Sequence, residues 1–326
     1  MSIKIIRPGV LSTMQDGGRY GYRGIGIGSG GAMDIFAMKV AQYLCGNEDS
    51  EAVIEMNFPA PEILFEKDAI ISITGADFSA FINETIIPAW STLMVKKDSI
   101  LKFKQPVSGA KVYLAVHGGW QAEKWLGSYS THGKLAAGGF KGRALQKDDR
   151  IDFTENKIYF INNKILPWHI SRHELNNIYQ PSYSIHCIPG AEYELLTEWS
   201  KRNLEQQEFT ISNKSDRMGY HLNNQPLLLQ RPIELVSSAV DMGTLQLLPT
   251  GDCIVLMADH QTTGGYPRIA SVIKADLPKL AQAKPGQIIN FTMIALQEAE
   301  DKLLCMQKTL QEIKGACHFN LKKYIG

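Results

Sequence analysis

Short apolar runs, each closed by glycine, proline or charge, recur along the whole chain. Ala69–Thr74 (AIISIT), Thr92–Val95 (TLMV), Val112–Val116 (VYLAV) and Ile254–Ala258 (IVLMA) are the clearest. Runs of this length are too short for helices and are rich in residues that pack well on a pleated surface, so they read as strands. Strands this short, without long helical stretches between them, point to a barrel or sandwich rather than a parallel βαβ array. Pro285-Gly286-Gln287 reads as a turn into a further strand over Ile288–Ile294.

Two segments break the pattern. In the first, Asp34 can cap a helix whose apolar face is Phe36, Ala37, Val40, Ala41 and Leu44, with Gly46-Asn47 to end it. In the second, Leu296, Ala299, Leu303, Met306, Leu310 and Ile313 advance in steps of three and four. That spacing predicts an amphipathic helix closed by Gly315, its stripe packed on the body of the protein.

The texture of the chain suggests four regions. A β-barrel-like half spans 1–155, a mixed junction with Trp168 and Tyr179 spans 156–182, a second β-barrel-like half spans 183–294, and the helix and tail span 295–326. A faint internal echo fits two related halves. Arg19-Tyr20-Gly21-Tyr22 resembles Arg217-Met218-Gly219-Tyr220, and Ala32-Met33-Asp34 resembles Ala239-Val240-Asp241.

Composition narrows the partners. The 326 residues carry a formal net charge of +1, so long-range attraction to nucleic acid or anionic membrane is not expected. The N-terminus MSIKIIRPGV lacks the apolar core of a secretory signal, and no window is apolar enough to span a bilayer, so a cytoplasmic protein is expected. Five scattered cysteines contain no C-x-x-C pair and argue against a disulfide framework or a zinc site. His169 and His173 could share a helix face, but no third ligand is evident, so no metal is expected.

Three polar, glycine-rich clusters remain. The first runs Thr13-Met14-Gln15-Asp16-Gly17-Gly18-Arg19 and on to Asp34. The second runs from Gly127-Ser128-Tyr129-Ser130-Thr131 to Arg143. The third joins Ser215-Asp216-Arg217-Met218-Gly219-Tyr220 to Asp259-His260-Gln261-Thr262-Thr263-Gly264-Gly265-Tyr266-Pro267. Glycine lets a ligand approach the main chain, and Gln, Thr and Asp beside it offer donors and acceptors. Such loops suit a small amide, ureido or lactam group; the structural alternative is a set of tight turns with capping side chains.

Asp259, at the end of a strand and followed by a polar run, is the leading candidate for an acid, base or ligand-orienting carboxylate. Asp16 and Asp216 lie near Arg19 and Arg217, which also suits local ion pairs that fix the turns. Several motifs fail. Gly26–Gly31 fits G-x-G-x-x-G, but no apolar strand leads into it. No P-loop occurs. Lys39 in Ala37-Met38-Lys39-Val40 resembles a biotin attachment lysine but sits inside a helical pattern. Tyr129 occupies the nucleophile position of a would-be G-x-S-x-G elbow.

These clusters are similar to the allophanate hydrolase subunit 2 family, also called the biotin-dependent carboxyltransferase family. The matching residues include Gln15-Asp16-x-Gly18-Arg19, Gly31-Ala32-Met33-Asp34, Thr74-Gly75-Ala76, Leu126-Gly127-Ser128-x-Ser130-Thr131, Ser215–Tyr220 and Asp259-x-Gln261-Thr262-Thr263-Gly264-Gly265-Tyr266-Pro267. The resemblance reaches to about Phe291. It implies a mainly β, cyclophilin-like barrel architecture. It also implies a subunit of an ATP-dependent 5-oxoprolinase that opens 5-oxo-L-proline to L-glutamate alongside A-type and kinase-inhibitor-like B-type subunits. ATP would act at the level of the complex. Two alternatives follow from the same resemblance: half of a urea-carboxylase-type carboxyltransferase using carboxybiotin supplied by a partner, or a regulator partnering a kinase-inhibitor protein. Asp259 would then orient or deprotonate an N–H, and Gln261, Thr262 and Thr263 would bond the carbonyl. Gly264 and Gly265 would allow close approach and Tyr266 would wall the pocket, with Gln15, Asp16, Ser215 and Arg217 as further substrate contacts. His117 and His260 depart from the family's usual residues.

Overall fold

The computed structural model describes residues 2–154, 160–179 and 184–325. The chain forms two compact units. The first comprises Met1–Arg19, Asp34–Glu174 and Lys308–Gly326; the second comprises Tyr20–Met33 and Leu175–Gln307. These bounds differ from the contiguous ones drawn on the sequence. Residues 20–33 leave the first unit for the second, and the C-terminal helix is divided between the two, neither of which local texture can reveal. Part of the expected junction over 156–182 lies outside the described residues. Its described portion forms the strand Lys164–His169 and helix α2, Arg172–Ile178.

The first unit holds two six-stranded sheets, all of whose pairs are antiparallel. One centres on Ser2–Arg7 and Glu62–Phe65, the other on Ala69–Asp77 and Ser108–Val116. Ile3, Ile5, Phe65, Ile71, Ile73, Val112 and Leu114 belong to its core. Ala69–Thr74 is buried at every position, which explains a continuous apolar run where a half-exposed strand would alternate. Ser72 and Thr74 of that run, and Thr92 of the strand Ser91–Val95 beside it, serve helix α1, Ile35–Leu44. Ser72 Oγ donates to Ala41 O at 2.7 Å, Thr74 Oγ1 to Ala37 O at 2.7 Å, and Thr92 Oγ1 to Leu44 O at 2.8 Å. Asp34 caps α1 as its sequence suggests, accepting from Ala37 N at 2.9 Å. Gly46 follows at φ +68°, a conformation that favours glycine at a helix end.

The second unit is a closed seven-stranded barrel. Around it run Ser184–Pro189, Arg268–Val272, Thr244–Leu247, Cys253–Leu256, Gly219–Asn223, Phe209–Ile211 and Ile288–Met293. The last strand closes on the first in a parallel pairing, whereas the other pairs of the ring are antiparallel. Helix α3, Glu198–Gln206, is capped by Thr197, and α4 is the short Leu277–Ala281. Mainly β architecture with a closed barrel and few helices therefore holds. Among the described residues, no helix is long and apolar enough to cross a membrane, and no cluster of metal-ligating side chains forms. His169 ends a strand and His173 lies in α2, so they do not share a helix face.

Helix α5, Leu296–Ile325, corrects one expectation: it runs straight through Gly315. The buried stripe of Leu310 and Ile313 continues through Cys317 and Leu321, and burial of that stripe outweighs the weak helix preference of one glycine. Lys314 adds ion pairs to Glu48 and Asp49. Gly315 itself is exposed, and a methyl group there would meet nothing within 4 Å. Gly315→Ala is therefore expected to stabilise the protein by about 0.5–1 kcal/mol, by reducing the freedom of the unfolded chain. Thermal unfolding monitored by circular dichroism reads this as a higher Tm; an unchanged or lower Tm contradicts the continuous helix.

Candidate active site

The residues singled out from the sequence fall in both units. Gln15 and Asp16 belong to the first, at the end of the strand Ser12–Gln15. Asp16 is buried, and its carboxylate accepts four hydrogen bonds. Oδ1 accepts from Gly18 N at 2.8 Å, Ser128 Oγ at 2.6 Å and Ser130 Oγ at 2.7 Å, while Oδ2 accepts from Tyr129 N at 2.6 Å. A carboxylate offers about four acceptor positions, so this one pins two loops together. Arg19 donates to Ser130 O in the same region. Gln15 Nε2 donates to Thr13 Oγ1 at 2.9 Å, and its buried Oε1 has no partner among the described residues.

The second unit assembles the rest. The strand Cys253–Leu256 leads to Asp259, whose carboxylate meets Arg217 in a two-point pair. Arg217 Nε donates to Oδ2 at 2.7 Å and Nη2 to Oδ1 at 3.0 Å. The two backbones are bonded as well, Asp259 N to Arg217 O at 2.7 Å. Arg217 Nη2 also donates to Gly31 O at 2.7 Å, which ties in the 20–33 segment. Asp216 does not pair with its neighbour; it accepts from Met218 N at 2.7 Å and Gly219 N at 3.2 Å and so shapes its own turn. Ser215 Oγ donates to His221 O at 3.3 Å.

Beyond Asp259 the loop is held by backbone rather than by side chains. Thr263–Gly264 pairs with Ser238–Ala239, and Val240 N donates to Thr262 O at 3.3 Å. Gln261 and Thr263 are exposed and Thr262 is half-buried. No hydrogen bond among the described residues uses their side chains. Tyr266 is 45% exposed. At Gly264 a Cβ would lie 2.5 Å from Gln246 Nε2 and 3.3 Å from Val240 Cγ1, so the room a side chain would need there is filled by Gln246. Gln246 is buried, and its Nε2 has no partner among the described residues. Gly265 is exposed.

His260 points inward. Its Nδ1 lies 2.5 Å from Gln261 O, and a carbonyl only accepts, so Nδ1 holds the proton. The buried Nε2 is then a bare acceptor without a partner among the described residues. Burial holds the imidazole below its ordinary range, partly offset by the Gln261 carbonyl and Asp241. A cavity of about 260 Å³ adjoins the Ser238–Ala239 strand, lined by Ala239, Val240, Asp241, Arg23, Thr244 and Arg268 among others.

Residues 25–293 match the model of the carboxyltransferase domain, subdomain A and B. The chain belongs to this family. It is 36% identical over 289 residues to the C subunit of 5-oxoprolinase from Haemophilus influenzae, covering 88% of this chain and 90% of the relative. It is 34% identical over 318 residues to the corresponding C subunit from Escherichia coli, covering 97% of this chain and 99% of that one. The crystal structure of the K. lactis urea amidolyase superposes with a TM-score of 0.87 at 22% identity, over 96% of this chain and 20% of that longer chain, a likeness of fold.

The polar run after Asp259 thus stands in a family domain, whereas Arg23, Gln246 and Arg268 escaped the sequence reading. Arg268 follows Pro267 directly and Gln246 interrupts an apolar strand, both visible signals; Arg23 has none, because its neighbours are brought by the fold. The geometry separates two roles. Asp16→Ala strips an acceptor from several buried donors and is expected to destabilise by at least about 3 kcal/mol. Gln261→Ala removes an exposed side chain and is expected to shift stability by less than about 0.5 kcal/mol. Urea denaturation of both variants checks this; equal stabilities would contradict the structural role given to Asp16.

Proposed function

We propose that this chain is the C-type subunit of an ATP-dependent 5-oxoprolinase that hydrolyses 5-oxo-L-proline to L-glutamate, and that it works only with its partner subunits in the cytoplasm. The observation that supports this most is the near end-to-end match to two 5-oxoprolinase C subunits, one over 90% and one over 99% of their length. The partners in this reading are A-type and kinase-inhibitor-like B-type subunits, and ATP acts at the level of the complex, since this chain has no phosphate-binding loop.

The loop chemistry agrees with a substrate bearing an N–C=O unit. Gln261, Thr262 and Thr263 present donors and acceptors that nothing else among the described residues uses. Asp259 has one N–H on each oxygen, leaving lone pairs to receive a substrate N–H. We assign it to orienting the amide, with Arg217 keeping the carboxylate in place. The loop has a rigid root and free side chains, the arrangement in which binding groups on a scaffold work best.

The family description favours a second reading, half of a biotin-dependent carboxyltransferase with carboxybiotin supplied by a partner. Lys39 would not be the carrier: it lies in mid-helix with Nζ 3.5 Å from Asp49. The two readings part on one assay. The chain is purified with its A- and B-type partners, and glutamate release from 5-oxo-L-proline plus ATP is measured with each subunit omitted in turn. Glutamate is expected only from the full set, and Asp259→Ala in the assembled complex is expected to lower the rate by about tenfold or more. An assembled complex that releases no glutamate but transfers carboxylate from carboxybiotin would overturn the first reading in favour of the second.

A further inference from the structure

The cavity beside Ser238–Ala239 has a donor-rich lining. Arg23 and Arg268 both line it, each tethered by a carboxylate. Glu192 takes Arg268 through Nε at 3.0 Å and Nη2 at 2.8 Å. Arg268 Nη1 reaches only Ala239 O, at 3.4 Å, a poor bond. Arg23 gives Nη1 to Asp241 Oδ1 at 3.0 Å and Nη2 to Val240 O, which leaves its Nε unused among the described residues. A guanidinium carries five N–H groups, so both arginines keep donors to spare while their own carboxylates hold them in position.

The neutral lining adds more. Thr244 Oγ1 accepts from Asp241 N at 3.1 Å, so its hydroxyl hydrogen is directed elsewhere, and Ser271 also lines the cavity. Thr244 and Gln246 share one face of their strand, two residues apart. The Gln246 Nε2 left without a partner lies beside Gly264, as does Cγ1 of Val240, which lines the cavity. Ala191, Ala239 and Ala270 keep the walls shallow. The space, about 260 Å³, lies below that of sites for drug-sized ligands and suits a molecule of about ten heavy atoms.

We propose that this cavity binds the carboxylate of a small organic acid between Arg23 and Arg268. Planar guanidinium groups match a carboxylate in a two-point geometry, and two of them lining one small cavity select it over a neutral amide. That the acid is 5-oxo-L-proline, or the glutamate formed from it, rests on the function proposed above; the carboxylate site itself does not. On that reading the cavity would hold the carboxylate end of the substrate between Arg23 and Arg268.

The test is isothermal titration of the assembled complex with 5-oxo-L-proline and with its carboxamide, which lacks the charge. Arg23→Gln is the informative variant, because Arg23 is partly exposed and its partner Asp241 is 71% exposed, so the pair can be broken without burying a lone charge. Wild-type complex is expected to bind the acid, and Arg23→Gln to weaken it by about tenfold while leaving carboxamide binding unchanged. Thr244→Val gives a smaller loss in the same direction and guards against a folding defect in the first variant. Equal affinity of wild type and Arg23→Gln for the acid would overturn the site, and so would a wild type that binds neither 5-oxo-L-proline nor a simple carboxylate such as acetate; binding of acetate alone would reject only the proposed substrate. Loss of acid binding in the variant from a complex that releases no glutamate would uphold the site and reject the proposed reaction.

Discussion

The second unit depends on one guanidinium. Arg217 is almost buried, and a charge in that position is costly unless it is paired and hydrogen-bonded. Asp259 supplies the pair and Gly31 O a further acceptor, so three separated segments meet at a single side chain. The backbone reinforces it: Gly219 opposes Leu256 in the barrel, and Met257 N and Asp259 N donate to Met218 O and Arg217 O. The loop after Asp259 therefore leaves the barrel from a fixed root. Its side chains do not have to hold it in place, which is why Gln261, Thr262 and Thr263 remain available to a ligand.

The first unit solves a related problem differently. Asp16 has no need of a cation to be buried, because hydroxyl and backbone N–H groups fill its acceptor positions. Two glycine-rich turns with the same residue types thus have opposite uses. One consumes its carboxylate in holding loops together, and the other anchors a carboxylate while keeping part of it open. Burial also explains His260: desolvation favours the neutral ring, and neutrality leaves a bare nitrogen facing inward.

Much of the fold was legible because strands and helices write periodic patterns. The fully buried AIISIT run, the Asp34 cap and the family's D-x-Q-T-T-G-G-Y-P loop all stand where the sequence suggests. What stayed hidden is long-range. Asp216 and Arg217 look like a local ion pair, yet Arg217 takes its partner from 42 residues away while Asp216 caps its own turn. Gly315 looks like a stop, yet Cys317 and Leu321 carry the buried stripe past it. The echo of Ala32-Met33-Asp34 in Ala239-Val240-Asp241 does not extend to roles, since Asp34 caps a helix and Asp241 pairs with Arg23. Arg23 and Arg268 could not be joined by spacing, because only the excursion of residues 20–33 into the second unit brings them to one cavity.

Family membership and the loop chemistry support the proposed N–C=O substrate, and the arginine-lined cavity supports a carboxylate on it. The most direct measurement is a structure of this chain assembled with the A- and B-type partners proposed for it, in the presence of 5-oxo-L-proline. The lactam is expected within hydrogen-bonding distance of Gln261–Thr263 or Arg23, with the Arg217–Asp259 pair intact. Substrate bound wholly within one of the partners, with this loop facing solvent, would contradict that role for the barrel.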